Sequence, residues 1–103
     1  MLGMSSKAKF EQVFRSLRRS RVRTEILMYL YNHYPRASYP AEIARDTGID
    51  PLNVLRGLSG RSRFDASHSL LKQGFVEEMS QGDIPLYRLS ERGKSLMERM
   101  HEV

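Results

Sequence analysis

Asn53 and Arg56 stand three residues apart, one helical turn, and carry the side chains best suited to reading a nucleic-acid base. A carboxamide pairs bidentately with the adenine edge exposed in a major groove, and a guanidinium does the same with guanine. Between Pro51 and Phe64 the chain has three arginines, Arg56, Arg61 and Arg63, and no acidic residue. Arg61 and Arg63 are expected to reach phosphate oxygens, which position a protein on a duplex without reading it. A second basic run comes earlier: Lys7, Lys9, Arg15, Arg18, Arg19, Arg21 and Arg23 face a single acid, Glu11, in the first 23 residues. Arg18, Arg19, Arg21 and Arg23 are phosphate candidates, although such a run equally suits a solvated face. Other chemistries find little support. Without cysteine, thiolate metal sites and cysteine nucleophiles are excluded. His33, His68 and His101 lack the spacing that puts two ligands on one helix face, and neither a glycine-rich phosphate loop nor a nucleophile elbow is present. No catalytic residue, metal or cofactor is expected, and the chain does not read as an enzyme.

These side chains need elements to hold them. Ala41, Ile43 and Ala44 give a helix from about Pro40 to Thr47 a small apolar face. Gly48 ends it, because glycine takes the left-handed conformation at no steric cost. Ile49 fills the angle to the next helix, which Asp50 caps and Pro51 opens. In that second helix Leu52, Val54, Leu55 and Leu58 are expected to face inward, leaving Asn53 and Arg56 outward. Gly57, Ser59 and Gly60 should break it, since each glycine costs about 1 kcal/mol in a helix interior. A loop anchored by Phe64 follows, then a helix capped by Asp65 or Ser67 and carrying Leu70 and Leu71 to Gly74. Strands at Phe75 to Met79 and Pro85 to Leu89 form a hairpin around Gly82, with Tyr87 and Leu89 on one face and Leu86 and Arg88 on the other. Arg88 is a further phosphate candidate. Asp83 at the tip argues against deep insertion into a groove.

Ala41-Glu42-Ile43-Ala44, Thr47-Gly48-Ile49, Leu70-Leu71-Lys72-Gln73-Gly74-Phe75-Val76 and the later Tyr-x-Leu-Ser-x-x-Gly pattern resemble MarR/ArsR-like winged helix-turn-helix transcription regulators, especially small archaeal ones. The likeness runs from about Arg21 to Ser95. It implies a DNA-binding regulator with a reading helix beginning at Pro51. The chain departs from the pattern twice. Tyr39 stands where a Ser or Thr cap is usual, which leaves Ser38 as the substitute, and the distance from Val54 to Gly74 implies an insertion near Gly57 to Ser67. Metal sensing, which ArsR-like proteins would suggest, lacks its usual cysteines. MarR-like proteins would permit a small-molecule effector, and none is specified by the residues.

The expectation for the whole chain is a single winged-helix domain, residues 1–103, mainly α with a small β-hairpin wing. An N-terminal helix (6–18), a core helix (20–34), the helix-turn-helix with its inserted loop (40–74), the wing (75–89) and a C-terminal helix (90–103) follow in order. Phe10, Val13, Phe14 and Leu17 line one face of the first helix, and Leu96, Met97 and Met100 one face of the last. The first face suits packing within the domain or, as the sharper alternative, a homodimer interface; the last, with its adaptable methionines, suits a subunit interface, and both helices are the homodimer candidates. Tyrosines at helical spacing, including Tyr29 and Tyr31, read as core rather than base-stacking groups. A net charge of +5 favours a polyanionic partner, here double-stranded DNA. No apolar run approaches a membrane span or a signal peptide, so a soluble cytoplasmic protein is expected. The alternative is a protein-interaction module within a larger assembly.

Overall fold

A computed structural model describes residues 20–60 and 68–102. Helix α1, Arg21–Asn32, is the spine. Ser20 opens it by accepting the Arg23 N–H at 3.3 Å, satisfying a donor that no preceding turn can reach. Ile26, Leu27 and Leu30 fall on one stripe and are completely buried, and the three later helices and the second strand pack against this helix. Helices α2 (Pro40–Thr47) and α3 (Pro51–Leu58) follow, then strands β1 (Val76–Gln81) and β2 (Ile84–Leu89) and helix α4 (Glu91–Glu102). Ile43 of α2, Val54 and Leu58 of α3, Tyr87 and Leu89 of β2 close the core over α1.

The start of α2 resolves the missing serine or threonine cap. Pro40 needs no donor partner at its position, and the Glu42 carboxylate accepts the Tyr39 N–H at 2.9 Å, the reverse half of a capping box. Ser38 does not become the cap. It is fully buried, and its N–H and C=O both pair with Tyr87, at 2.8 and 2.9 Å, as a one-residue third strand beside the wing. The entry to the helix-turn-helix is thus tied to the hairpin by backbone bonds.

β1 and β2 pair antiparallel from Val76–Leu89 to Gln81–Ile84. The turn is shorter than the sequence suggests: Gly82 and Asp83 alone connect the strands, and Gly82 has φ 70°. Tyr87 and Leu89 face the core as expected from alternation, and Val76, paired with Leu89, joins them. The outer face carries the Arg88–Glu77 ion pair at 2.8 Å and the half-covered or exposed Met79, Ile84 and Leu86.

Two sequence patterns meet where the wing returns to α4. The Ser90 hydroxyl donates to the Gly74 carbonyl at 2.7 Å and accepts the Gly93 N–H at 3.0 Å, while the Ser90 N–H bonds the Phe75 carbonyl at 3.1 Å. A Cβ on Gly93 would lie 2.1 Å from that same Phe75 oxygen, so only glycine fits. The spacing Leu-Ser-x-x-Gly therefore locks α4 onto the Gly74-Phe75 turn.

Several expectations change. Leu96 and Met97, expected at a subunit interface, are buried in the chain's own core at 4% and 1% exposure. α4 lies against α1 and β2, and that packing uses its apolar face. Met100 is partly buried against the same core. No regular helix carries Leu70 and Leu71; residues 68–75 form successive turns, with the Ser69 hydroxyl accepting the Lys72 N–H at 3.2 Å. Phe10, Val13, Phe14 and Leu17, the expected helix 6–18, Phe64, Asp65 and Ser67 lie outside the described residues.

Candidate nucleic-acid interface

α3 is held at three points, and each fixes which side chains it shows to solvent. At its start the Asp50 carboxylate accepts the Leu52 N–H at 2.9 Å and Pro51 takes the first helical position. The turn before it is set by Gly48, whose φ of 77° is strained for any residue with a side chain. Its N–H bonds the Ala44 carbonyl at 2.9 Å, closing α2 as the chain reverses. Along its length α3 buries Val54, Gly57 and Leu58. Gly57 decides the geometry: a Cβ there would sit 2.9 Å from Ile26 Cδ1 and 3.4 Å from Val22 Cγ1, so α3 presses onto α1 through a position with no side chain.

The third point is the end of α3. In an uninterrupted helix the Gly57 and Leu58 carbonyls would accept from positions 61 and 62. Here they accept the N–H groups of Leu70 and Leu71, both at 2.9 Å. The chain beyond the insertion thus returns to satisfy the carbonyls at which α3 stops. Arg23 reinforces the return, its guanidinium donating to the His68 carbonyl at 2.5 Å.

Packing through Val54, Gly57 and Leu58 leaves Leu52, Asn53, Leu55 and Arg56 on the outward face, all four exposed. Asn53 and Arg56 therefore point where the sequence places them. Leu52 and Leu55 do not: expected in the core, they are 46% and 40% exposed. The inward direction of this short helix is set by Gly57, which no apolar pattern registers.

Arg56 differs from the other described arginines. Arg21 pairs with Glu25 at 2.9 Å, Arg36 with Glu42 at 3.2 Å, Arg45 with Asp46 at 3.0 Å and Arg88 with Glu77 at 2.8 Å. Arg92 lies over the Phe75 ring at 5.1 Å, and Arg23 and Arg99 have partners of their own. Arg56 has no partner among the described residues, nor does Asn53. A guanidinium and a carboxamide with unfilled hydrogen-bonding capacity share one turn of a helix lacking acids from Pro51 to Leu58. Arg18, Arg19, Arg61 and Arg63 lie outside the described residues. Arg21 and Arg23 flank α1's start, Arg23 drawn toward His68 and Arg21 almost fully exposed.

A hydrogen-bond chain braces α2 against α1. Tyr29 donates to Asp46 at 2.8 Å, and Arg45 donates to the other carboxylate oxygen at 3.0 Å. The Arg45 bond, then the Tyr29 bond, hold the Asp46 carboxyl below the usual aspartate value; partial burial and the Asp46 bond push the Tyr29 hydroxyl up. The wing is electrostatically unlike α3. Glu77, Glu78 and Asp83 lie along it, with Glu77 engaged by Arg88 and Glu78 accepting the Tyr87 hydroxyl at 2.8 Å. Among the described residues no three His, Asp or Glu side chains group as metal ligands, and no helix is long and apolar enough to cross a membrane.

A helix-turn-helix braced on a spine helix, followed by a two-stranded hairpin and a closing helix, defines a winged helix-turn-helix protein. The chain belongs to the EarA-like family, whose pattern matches residues 13–100. It is 39% identical over 87 residues to the uncharacterized protein MJ0905 of Methanocaldococcus jannaschii, a match covering 84% of this chain and 78% of that protein. Two structures of a double mutant of Lactococcus lactis ZitR share the fold. One has a TM-score of 0.61 at 20% identity, covering 81% of this chain and 51% of the other, so this chain spans about half of it. The second, in apo form, has a TM-score of 0.60 at 17% identity and covers 99% of this chain and 71% of the other.

Proposed function

We propose that this protein is a sequence-specific, double-stranded DNA-binding transcription regulator that enters the major groove with α3. The observation that carries the reading is the outward face of α3, where Asn53 and Arg56 stand exposed, without partners among the described residues, on a helix fixed at both ends. Asn53 and Arg56 read base edges; Arg18, Arg19, Arg21, Arg61 and Arg63 contribute phosphate contacts, with Arg23 and Arg88 peripheral because each already has an intramolecular acceptor. The likeness of the helix-turn-helix residues to MarR/ArsR-like regulators supports the same role. On this reading the protein acts as a homodimer through Phe10, Val13, Phe14 and Leu17, with Met100 at the margin, and meets half-sites about one helical turn apart. It works in the cytoplasm, where an archaeal chromosome lies, and carries no catalysis or cofactor of its own.

The test is binding of labelled random and enriched duplexes by fluorescence anisotropy across a salt series. The expected result is salt-sensitive binding, with Arg61→Ala flattening the slope by about one unit and Arg56→Ala relaxing choice at one base pair. A second reading, a protein-interaction module, is favoured by the exposure of Leu52 and Leu55. Absence of duplex binding at low salt would select it.

A further inference from the structure

Leu52 and Leu55 are not needed in the core, yet they occupy the outward face of α3 one turn apart, interleaved with Asn53 and Arg56. A single exposed leucine is ordinary. Two on the face that carries Arg56, which has no partner among the described residues, form one surface with it. We propose that Leu52 and Leu55 are specificity residues that select thymine by packing on its 5-methyl group in the major groove. The inference rests on the reading of α3 as the helix that enters DNA.

The chemistry is complementary. On the major-groove edge of a base pair the thymine methyl is the one apolar group, and hydrogen-bond donors gain nothing from it. Branched aliphatic side chains do, because both partners leave water on contact. Asn53 and Arg56 would then fix purines through their hydrogen-bonding edges while the leucines fix thymines, so a single helical turn reads both kinds of group.

Nucleic acid fits this face better than a protein partner for three reasons. An apolar protein surface laid over the leucines would bury Asn53 and Arg56 between them without acceptors. α3 has no acidic residue between Pro51 and Leu58, and the chain carries a net charge of +5, so its field favours a polyanion. Two half-exposed leucines also supply little of the roughly 800 Å² per partner that a stable protein interface buries.

The experiment uses the full chain to enrich duplexes from a random pool, then remakes the enriched duplex with each thymine replaced singly by deoxyuridine, which lacks only the methyl. The expected result is a loss of about fourfold in affinity at one or more positions, the equivalent of one buried methyl group. Leu52→Ala and Leu55→Ala should bind the thymine duplex more weakly and each lose sensitivity to deoxyuridine at one such position. Both sites are exposed, so unchanged thermal unfolding of the variants confirms that the fold is intact. If the protein binds the enriched duplex and tolerates every deoxyuridine, the thymine role is overturned while DNA reading stands. Loss at deoxyuridine that persists in both alanine variants assigns the methyl effect to DNA shape and overturns the role of the leucines. A chain that enriches no duplex overturns DNA reading itself, and this inference with it.

Discussion

Arg56 is set apart by having no partner among the described residues. The other described arginines all have interactions within the chain, and an arginine already engaged has less to offer a base. Arg56→Ala is therefore expected to leave stability within about 0.5 kcal/mol, as for a surface change without partners. Discrimination at one base pair should fall by about 1–3 kcal/mol, read from competition between enriched and single-substituted duplexes. Asp46 is the opposite case, a surface carboxylate held by Arg45 and Tyr29. Its folded pKa lies below the ordinary value of 3.8, so the stabilisation it gives is present above that value and is lost as pH falls through the folded one. Asp46→Asn should be less stable than the parent at neutral pH, and urea unfolding at a series of pH values should show the difference shrinking below about pH 4.

At the scale of elements, the strongest constraint is the lock between the wing and α4. Gly93→Ala would place a methyl group against the Phe75 carbonyl oxygen and Leu89 Cδ1, at 2.1 and 2.9 Å before relaxation. The backbone must shift to admit it, and a loss of about 1–3 kcal/mol is expected in chemical denaturation. Ser90→Ala should cost about 1–2 kcal/mol by removing the α4 cap and the bond to the Gly74 carbonyl. How much of this was legible in the sequence depends on how local the cause is. The turn at Gly48, the cap at Asp50 and Pro51, and the alternation of Tyr87 and Leu89 rest on neighbours in the chain, and their residue types announce them. The outward leucines of α3 were not legible, because an eight-residue helix with four apolar positions has no single apolar stripe. Its orientation comes from Gly57 meeting Ile26 across the core. Nor could periodicity say whether Leu96 and Met97 cover their own domain or a partner, since both demand the same pattern. The turns at residues 68–75 escaped for a similar reason: their position depends on the distant carbonyls of Gly57 and Leu58.

For the molecule as a whole, α3 and the wing differ in charge among the described residues. The outward face of α3 has no acid, while Glu77, Glu78 and Asp83 gather on the hairpin. On the proposed reading, a duplex approaching α3 meets no acid on the helix and three on the hairpin, which places the wing at the margin of the contact. Removing the acid at the tip tests that division: Asp83→Asn should strengthen binding to all duplexes by a modest common factor without changing base preference, as read by anisotropy at fixed salt. The central claim, that α3 reads DNA, is tested most directly by measuring the parent and Arg56→Ala side by side on an enriched duplex and on random duplex across a salt series. The expected result is that the parent prefers the enriched duplex, that Arg56→Ala narrows the preference by at least about tenfold, and that both keep salt-sensitive binding to random DNA. An unchanged preference in Arg56→Ala, or no duplex binding by the parent at low salt, would contradict it.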